Sequence, residues 1–347
     1  MSLLKRAQTE NTPLIDGRTA TFLWNGPNPP ILTGDFNDWD ENTPTPWQKT
    51  TTHNLWQVSF DFPPDAYLEY ALGPQNQRQP DPYNNKRTTP NGLGQRNHFF
   101  YMPQATPTSL TLKQTSLPHG TVTPHFIPTN QMIHGRLRRL YLYQPPTTQP
   151  TPLILVFDGT DYYRRARLTT IIDNLIAQKR IPPVSLAMLN NGGINGRRAE
   201  YACSDATLYV IHNILLPYAQ KHLNLLDINT HPGSYATLGA SMGGLISLYT
   251  ALRLPHIFGH VISQSGAFTF AGHDTIVYDL LAHIPANIRI SLDCGRFESF
   301  LACNRRMHQH LLNNGYDATY REHNSGHNYT AWRNNIHHAL LWYQPTP

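Results

Sequence analysis

The stretch Gly239-Ala240-Ser241-Met242-Gly243 sets a serine among small residues, where the apolar run SYATLGA gives way to the helix-patterned MGGLISLYTALR. A serine in a G-x-S-x-G turn between strand and helix holds a strained backbone, and neighbours without side chains let the chain turn that tightly. The turn points Oγ out of the sheet. It also puts the N–H of Met242 at a helix N-terminus, where developing negative charge is stabilised. The chemistry implied is nucleophilic acyl transfer.

A serine alcohol is a poor nucleophile at neutral pH; it needs a base, and the base needs an orienting acid. On a strand-turn-helix scaffold the expected chain order is Ser, then Asp or Glu after a later strand, then His after the last strand. EHNSGHNYTAW offers His323 and His327. His327 follows Ser325-Gly326 and precedes the last predicted helix, whereas His323 falls inside the preceding strand and reads as structural. ISLDCGRFESF offers Asp293 and Glu298. Asp293 is still within its strand, and Glu298 comes just past the C-terminal end, where sites of open α/β sheets gather. Glu298 is preferred and Asp293 remains the alternative. A second oxyanion donor is expected in the loop after LILVFDG, at the backbone of Gly159 or Thr160.

Positioning such residues requires alternating strands and helices, and the sequence supplies them after about residue 118. RRLYLYQPP, LILVFDG, VSLAMLN, SYATLGA, GHVISQSGAF and IRISLDCG read as strands, and ATYREHNSGH as strand and loop. RARLTTIIDNLIAQKR, DATLYVIHNILLPYAQKH, MGGLISLYTALR, ESFLACNRRMHQHLLNNG and YTAWRNNIHHALLWY read as helices. Short apolar strands alternating with amphipathic helices imply a largely parallel sheet covered on both faces. The first hundred residues differ. TATFLW, PPILTGDF, LWQVSFDF, AYLEYALG and RNHFFYM alternate with period two between turn-forming clusters, the pattern of a small β-sandwich. The expected organisation is a sandwich over 1–104 and an α/β domain over 105–347.

The 347 residues suit two domains. With 29 prolines and only 14% charged residues, long polar loops around a compact centre are expected. A net charge of +5 favours anionic partners, yet no Lys/Arg block or RNA-binding signature points to nucleic acid. The 18 histidines include no third ligand at zinc-site spacing near His308 and His310 or His337 and His338. Neither a dinucleotide fingerprint nor a phosphate-binding loop occurs, so no metal or cofactor is expected. Cys203, Cys294 and Cys303 lack paired spacing, which fits a reducing compartment. The start MSLLKRAQTENTPLIDG lacks a signal-peptide core, and nowhere do 18 apolar residues run together, so a cytoplasmic protein with no membrane partner is expected.

From about Leu153 to Trp342 the chain resembles the esterase D group of α/β hydrolases, and within it the enterochelin esterases. The resemblance is carried by LVFDGTDYY, GRRAEY, LLPYAQ, the elbow GASMGGLISLYTALRLPHIFGHVISQSGAF, CGRFES and GHNYTAWR, in that order. It implies an α/β hydrolase fold with the nucleophile at Ser241, the acid at Glu298 and the base at His327. The family's G-G-H-D segment reads Ser-Gly-His-Asn here, with Ser325 and Asn328 in place of glycine and aspartate. An arginine of the family's polar loop falls on Arg197, beside Arg198, where it would face an anionic catecholate. The first domain resembles the glycogen-binding β-sandwich of branching enzymes through LTGDFNDWDENTPTPW, LWQVSFDFPPDAYLEYAL and PDPYNNKR, with Trp39 on a sugar-stacking tryptophan. The expected lysine is Ala71 and a second stacking tryptophan near GPQNQRQ is absent, which favours packing or shaping of the active-site mouth over sugar binding.

The function these readings predict is a serine esterase that cuts a catecholate siderophore trilactone, a small-molecule ester, through an acyl-enzyme. Arginines 164, 165, 167, 197 and 198 around predicted loops suit an anionic substrate. The alternatives are a feruloyl or acetyl carbohydrate esterase, and a non-catalytic carbohydrate-binding protein with an inactive hydrolase domain.

Overall fold

Strands buried on one face alternate in sequence, and strands covered on both faces do not. Both kinds occur in the computed structural model, which describes residues 2–84, 86–91, 94–283 and 287–343. The chain divides into two units. One is Met1–Pro107 with Gly295–Ser299 and His323–Ala331; the other is Thr108–Cys294 with Phe300–Glu322 and Trp332–Pro347.

In the first unit α1 (Leu3–Glu10) precedes β1 (Leu14–Asp16), β2 (Thr19–Asn25), β3 (Leu32–Gly34), β4 (Gln48–Lys49), β5 (Leu55–Asp61), β6 (Tyr67–Leu72), β7 (Thr88–Pro90) and β8 (Arg96–Tyr101). One antiparallel sheet runs β1-β2-β5-β4 and another β3-β6-β8-β7. The alternation in TATFLWN turns Phe22 inward, where its ring meets Tyr70 at 4.9 Å and Phe100 at 5.7 Å, both edge to face. Hiding each such ring from water contributes about 2–3 kcal/mol. This is the β-sandwich the period-two segments predict.

The second unit carries β9 (Thr121–Pro128), β10 (Leu137–Gln144), β11 (Leu153–Phe157), α2 (Gly159–Arg164), α3 (Leu168–Ala177), β12 (Ser185–Leu189), α4 (Gly193–Tyr201), α5 (Asp205–Val210) and α6 (Leu216–His222). There follow β13 (Tyr235–Ala240), α7 (Met242–Arg253), β14 (Phe258–Gln264), the short pair β15 (Thr269–Phe270) and β16 (His273–Asp274), α8 (Val277–His283), β17 (Arg289–Phe297), α9 (Leu301–Asn313), β18 (Asp317–Gly326) and α10 (Tyr329–Trp342). The ends of β17 and β18 run on into the two short segments that count with the first unit. The sheet order is β18-β17-β14-β13-β11-β12-β10-β9. Strands β17, β14, β13, β11 and β12 are mutually parallel, and β10 is antiparallel to β12 and β9. Every residue of β11, β12, β13 and β14 is buried, which is why these sequences show no apolar/polar alternation and β11, LILVF, is wholly apolar.

Some elements depart from the sequence reading. The helix expected over DATLYVIHNILLPYAQKH is α5, a π-helical turn at Ile211–Leu215, and α6. Pro217 has no N–H to donate and its ring crowds the carbonyl four residues earlier, so the widened turn comes just before it. Strand β9 contains Pro124 and Pro128, and it takes the sheet edge, where a missing ladder donor is tolerated. Helices α2 and α4 stand where loops are expected. Both are short, and GINGRRAEY is too rich in glycine to announce a helix. Among the described residues no helix is long and apolar enough to cross a membrane.

Candidate active site

Strand β13 ends at Ala240 and α7 begins at Met242, which leaves Ser241 alone at the junction with φ 59° and ψ −125°. A non-glycine residue held there costs about 1–3 kcal/mol and persists only where its surroundings enforce it. Here they do. The Ser241 N–H donates to the Gln264 carbonyl at 2.9 Å, and the Ser241 carbonyl accepts from Gly244 at 3.0 Å, Leu245 at 3.2 Å and Ala267 at 3.0 Å. Gln264 is fixed in turn: its Oε1 accepts from the Tyr162 hydroxyl at 3.0 Å, and its Nε2 donates to Asp293 Oδ2 at 2.8 Å and to the Trp332 carbonyl at 3.2 Å. Asp293, the alternative acid, therefore braces the segment behind the serine.

The glycines around the serine are not equivalent. A Cβ on Gly239 would run into the backbone of Gly243, and one on Gly244 into Ser263 Oγ, with Gly266 Cα 3.1 Å away. A Cβ on Gly243 would meet Asp158 Oδ2 at 3.4 Å, Phe157 Cβ at 3.6 Å and Tyr201 Cε2 at 3.9 Å, all ordinary contact. The tight turn needs Gly239 and Gly244; Gly243 is a matter of sequence pattern.

Met242 is the first residue of α7, where a helix leaves its N–H groups without intrahelical partners. Gly159 is likewise first in α2, and a Cβ there would collide with the backbone of β12 at Met188 and Leu189, so only glycine fits. Thr160, the other expected oxyanion donor, is corrected by its geometry: its N–H is committed to Asn190 Oδ1 at 2.8 Å. That leaves Gly159 as the donor candidate of this segment.

Arg197 also differs from expectation. It lies on α4, not on a polar loop, and its guanidinium grips Asp158, with Nη2 2.7 Å from Oδ2 and Nε 2.9 Å from Oδ1. It lies 5.1 Å over the Tyr201 ring and reaches the Ala240 carbonyl at 3.3 Å. Asp158 is 2% exposed, so this pair balances a buried charge beside the elbow. Arg198 is exposed, and its guanidinium stacks 4.6 Å over the Phe270 ring. Sequence reasoning misses Asp158 because only the fold shows that its carboxylate needs a cation.

The acid-base candidates meet in the first unit. Glu298 follows β17 and His327 follows β18. The His327 Nδ1 forms a short hydrogen bond with Glu298 Oε2, and the other carboxylate oxygen accepts from the Gly295 N–H at 2.6 Å. The Glu298 side chain is 1% exposed against 29% for His327, so the acid is covered and the imidazole is open. His323 is buried within β18.

Beneath this loop lies a carboxylate that the sequence does not single out. Asp35, 3% exposed, follows β3. Its Oδ1 accepts from Trp39 Nε1 at 3.0 Å; its Oδ2 accepts from the Glu69 N–H at 2.8 Å and from Asn328 Nδ2 at 3.3 Å. Burial, with the Glu69 carboxyl adding to it, pushes the Asp35 carboxyl well above its ordinary value. Trp39 thus spends its N–H on Asp35, and the Arg78 guanidinium lies 5.2 Å over its ring.

The model of the Esterase family matches residues 130–343, more than half of the chain. The chain belongs to the Esterase family. It is 27% identical over 225 residues to the iron(III) enterobactin esterase of Dickeya dadantii (strain 3937), covering 59% of this chain and 51% of that protein. It is 22% identical over 325 residues to the iron(III) enterobactin esterase of Escherichia coli (strain K12), covering 85% and 78%. The chain spans about half the length of the first of these relatives. Among solved structures, the enterobactin esterase of Shigella flexneri in the presence of enterobactin superposes with a TM-score of 0.77 at 19% identity, covering 93% of this chain and 92% of that one. This likeness shows the fold: an α/β hydrolase preceded by a β-rich domain.

Proposed function

We propose that this member of the Esterase family is a serine carboxylic ester hydrolase acting through an acyl-enzyme on a catecholate siderophore trilactone. The observation that carries ester hydrolysis is the enforced backbone of Ser241 at the strand-helix elbow. In the proposed reaction Ser241 Oγ attacks the ester carbonyl while His327 takes its proton, and Glu298 holds the Nδ1 side of the imidazole. The N–H groups of Met242 and Gly159 receive the developing oxyanion. Collapse breaks the ester bond, and His327 returns the proton to the departing alcohol. Water, deprotonated by the same imidazole, then releases the acyl group and restores Ser241.

The substrate class is supported by the relatives, whose names carry enterobactin, and by local charge. Arg197 is already balanced by Asp158, so the exposed Arg198, stacked on an aromatic ring, is the cation suited to an anionic aromatic group. Mass spectrometry of enterobactin, with and without iron, incubated with wild type and with Ser241→Ala tests the reading. Linear trimer and smaller fragments should appear with wild type and fall by at least about 10³-fold in the variant. If enterobactin stays whole while p-nitrophenyl butyrate is cleaved by wild type alone, the siderophore is wrong and the esterase stands. If Ser241→Ala cleaves either ester as wild type does, the nucleophile is wrong.

A further inference from the structure

The substitution of Asn328 for the aspartate of the resembling family's G-G-H-D segment has a physical counterpart in the first unit. Asn328 Oδ1 accepts from the Ala331 N–H at 2.9 Å at the start of α10, as an N-cap does, which leaves its Nδ2 to donate to Asp35 Oδ2. On the other side of His327, a Cβ on Gly326 would fall on the carboxyl group of Asp35, so that carboxyl packs directly against the glycine. Asp35 therefore touches the residue before and the residue after His327. The turn between them is closed by the Asn328 N–H donating to the Gly326 carbonyl at 3.1 Å. Ser325, one residue earlier, pairs with Tyr67 of β6, and Tyr67 donates its hydroxyl to Glu69, whose own N–H binds Asp35.

We propose that Asp35 is a positioning residue for His327, holding the imidazole on Glu298 through Gly326 and Asn328, and that Asn328 is amide rather than acid because it must donate to Asp35. The proposal takes His327 as the base, as argued above. An aspartate at 328 would keep the cap to Ala331 but set a carboxylate against Asp35 and Glu69, all buried together.

Capping by itself ranks aspartate equal to asparagine at position 328 and well above alanine. The proposal reverses that order for turnover. Steady-state hydrolysis of p-nitrophenyl butyrate by Asn328→Asp and Asn328→Ala, each alone and in an Asp35→Asn background, decides between them. Asn328→Asp should lower kcat at least about 10-fold more than Asn328→Ala, with KM within about twofold of wild type. In the Asp35→Asn background, which removes the ionisable carboxyl and keeps an oxygen for the Glu69 N–H, the gap should close to within about threefold. Asn328→Asp equal to or better than Asn328→Ala overturns the proposal, as does a gap that persists without the Asp35 carboxyl. His327→Ala is assayed alongside. If it keeps wild-type turnover, the base assignment fails and takes this proposal with it; if it is inactive, the Asn328 series judges the proposal alone.

Discussion

The elbow at Ser241 and the loop at His327 place their side chains by different means. At the elbow the backbone does the work: the serine's own N–H and carbonyl are held by four main-chain hydrogen bonds, and Gly239 and Gly244 are fixed by the closeness of other atoms. At His327 side chains do it, through Glu298 on the ring and Asp35 on the residues either side. Even the two competing acids divide along this line, since Asp293 serves the elbow through Gln264 and Glu298 contacts the histidine. Backbone positioning needs only a short sequence pattern. Side-chain positioning recruits whatever the fold brings near.

That division is most exposed to attack at the two acids. Glu298→Gln should lower kcat by about 10³–10⁴-fold with the fold intact, because the imidazole loses the carboxylate that orients it and stabilises its charged form. Asp293→Asn should instead replace the carboxylate that accepts from Gln264 Nε2 by a neutral, weaker amide acceptor and cost about 1 kcal/mol of stability, with a smaller effect on kcat. Parallel kinetics and urea unfolding separate the two. The opposite pattern would make Asp293 the acid and erase the contrast.

Within the elbow, Gly239→Ala should destabilise by about 3 kcal/mol, since its Cβ meets backbone that cannot swing away. Gly243→Ala should change stability by less than about 1 kcal/mol, because its Cβ has room and alanine favours the helix. Equal losses in urea unfolding would mean that the motif glycines act as a set and not through close approach.

The smallest effect lies on β14 and checks that the second unit's core behaves as an ordinary buried interior. Burial, reinforced by Arg289, lowers His260 from 6.5 to about 4. A histidine depressed on folding binds its proton more readily in the unfolded state. Stability is therefore complete above about pH 6.5 and falls as pH drops toward 4, by roughly 3 kcal/mol once both states are protonated. His260→Phe should flatten that part of the stability profile measured by urea midpoints from pH 7 to pH 4. An unchanged slope would assign the pH dependence to other groups.

Among these residues, what could be read in advance follows from distance along the chain. The positions of Ser241, Met242 and Gly159 are legible because a strand-to-helix turn and the first turn of a helix are local, and chain order alone separates His327 from His323 by the end of one strand. Asp35 is not legible: it binds Asn328 from 293 positions away, and nothing in LTGDFNDW marks it as part of a histidine loop. Arg197 is visible as a cation, yet its partner Asp158 lies 39 positions away, just before α2, so its commitment is hidden. Thr160 and Gly159 look interchangeable until Asn190 takes the N–H of one.

By itself the sequence determined the alternation that makes a sandwich and then a parallel sheet, and the strand-to-helix turn that carries Ser241. These are properties of short segments, set by burial period, turn chemistry and strand ends. Only the tertiary structure decided which carboxylate meets His327, which arginine is already neutralised, and why position 328 carries an amide. Each of those is settled by charges and hydrogen-bond donors that share a buried space, and such neighbours are chosen by the fold, not by the chain order.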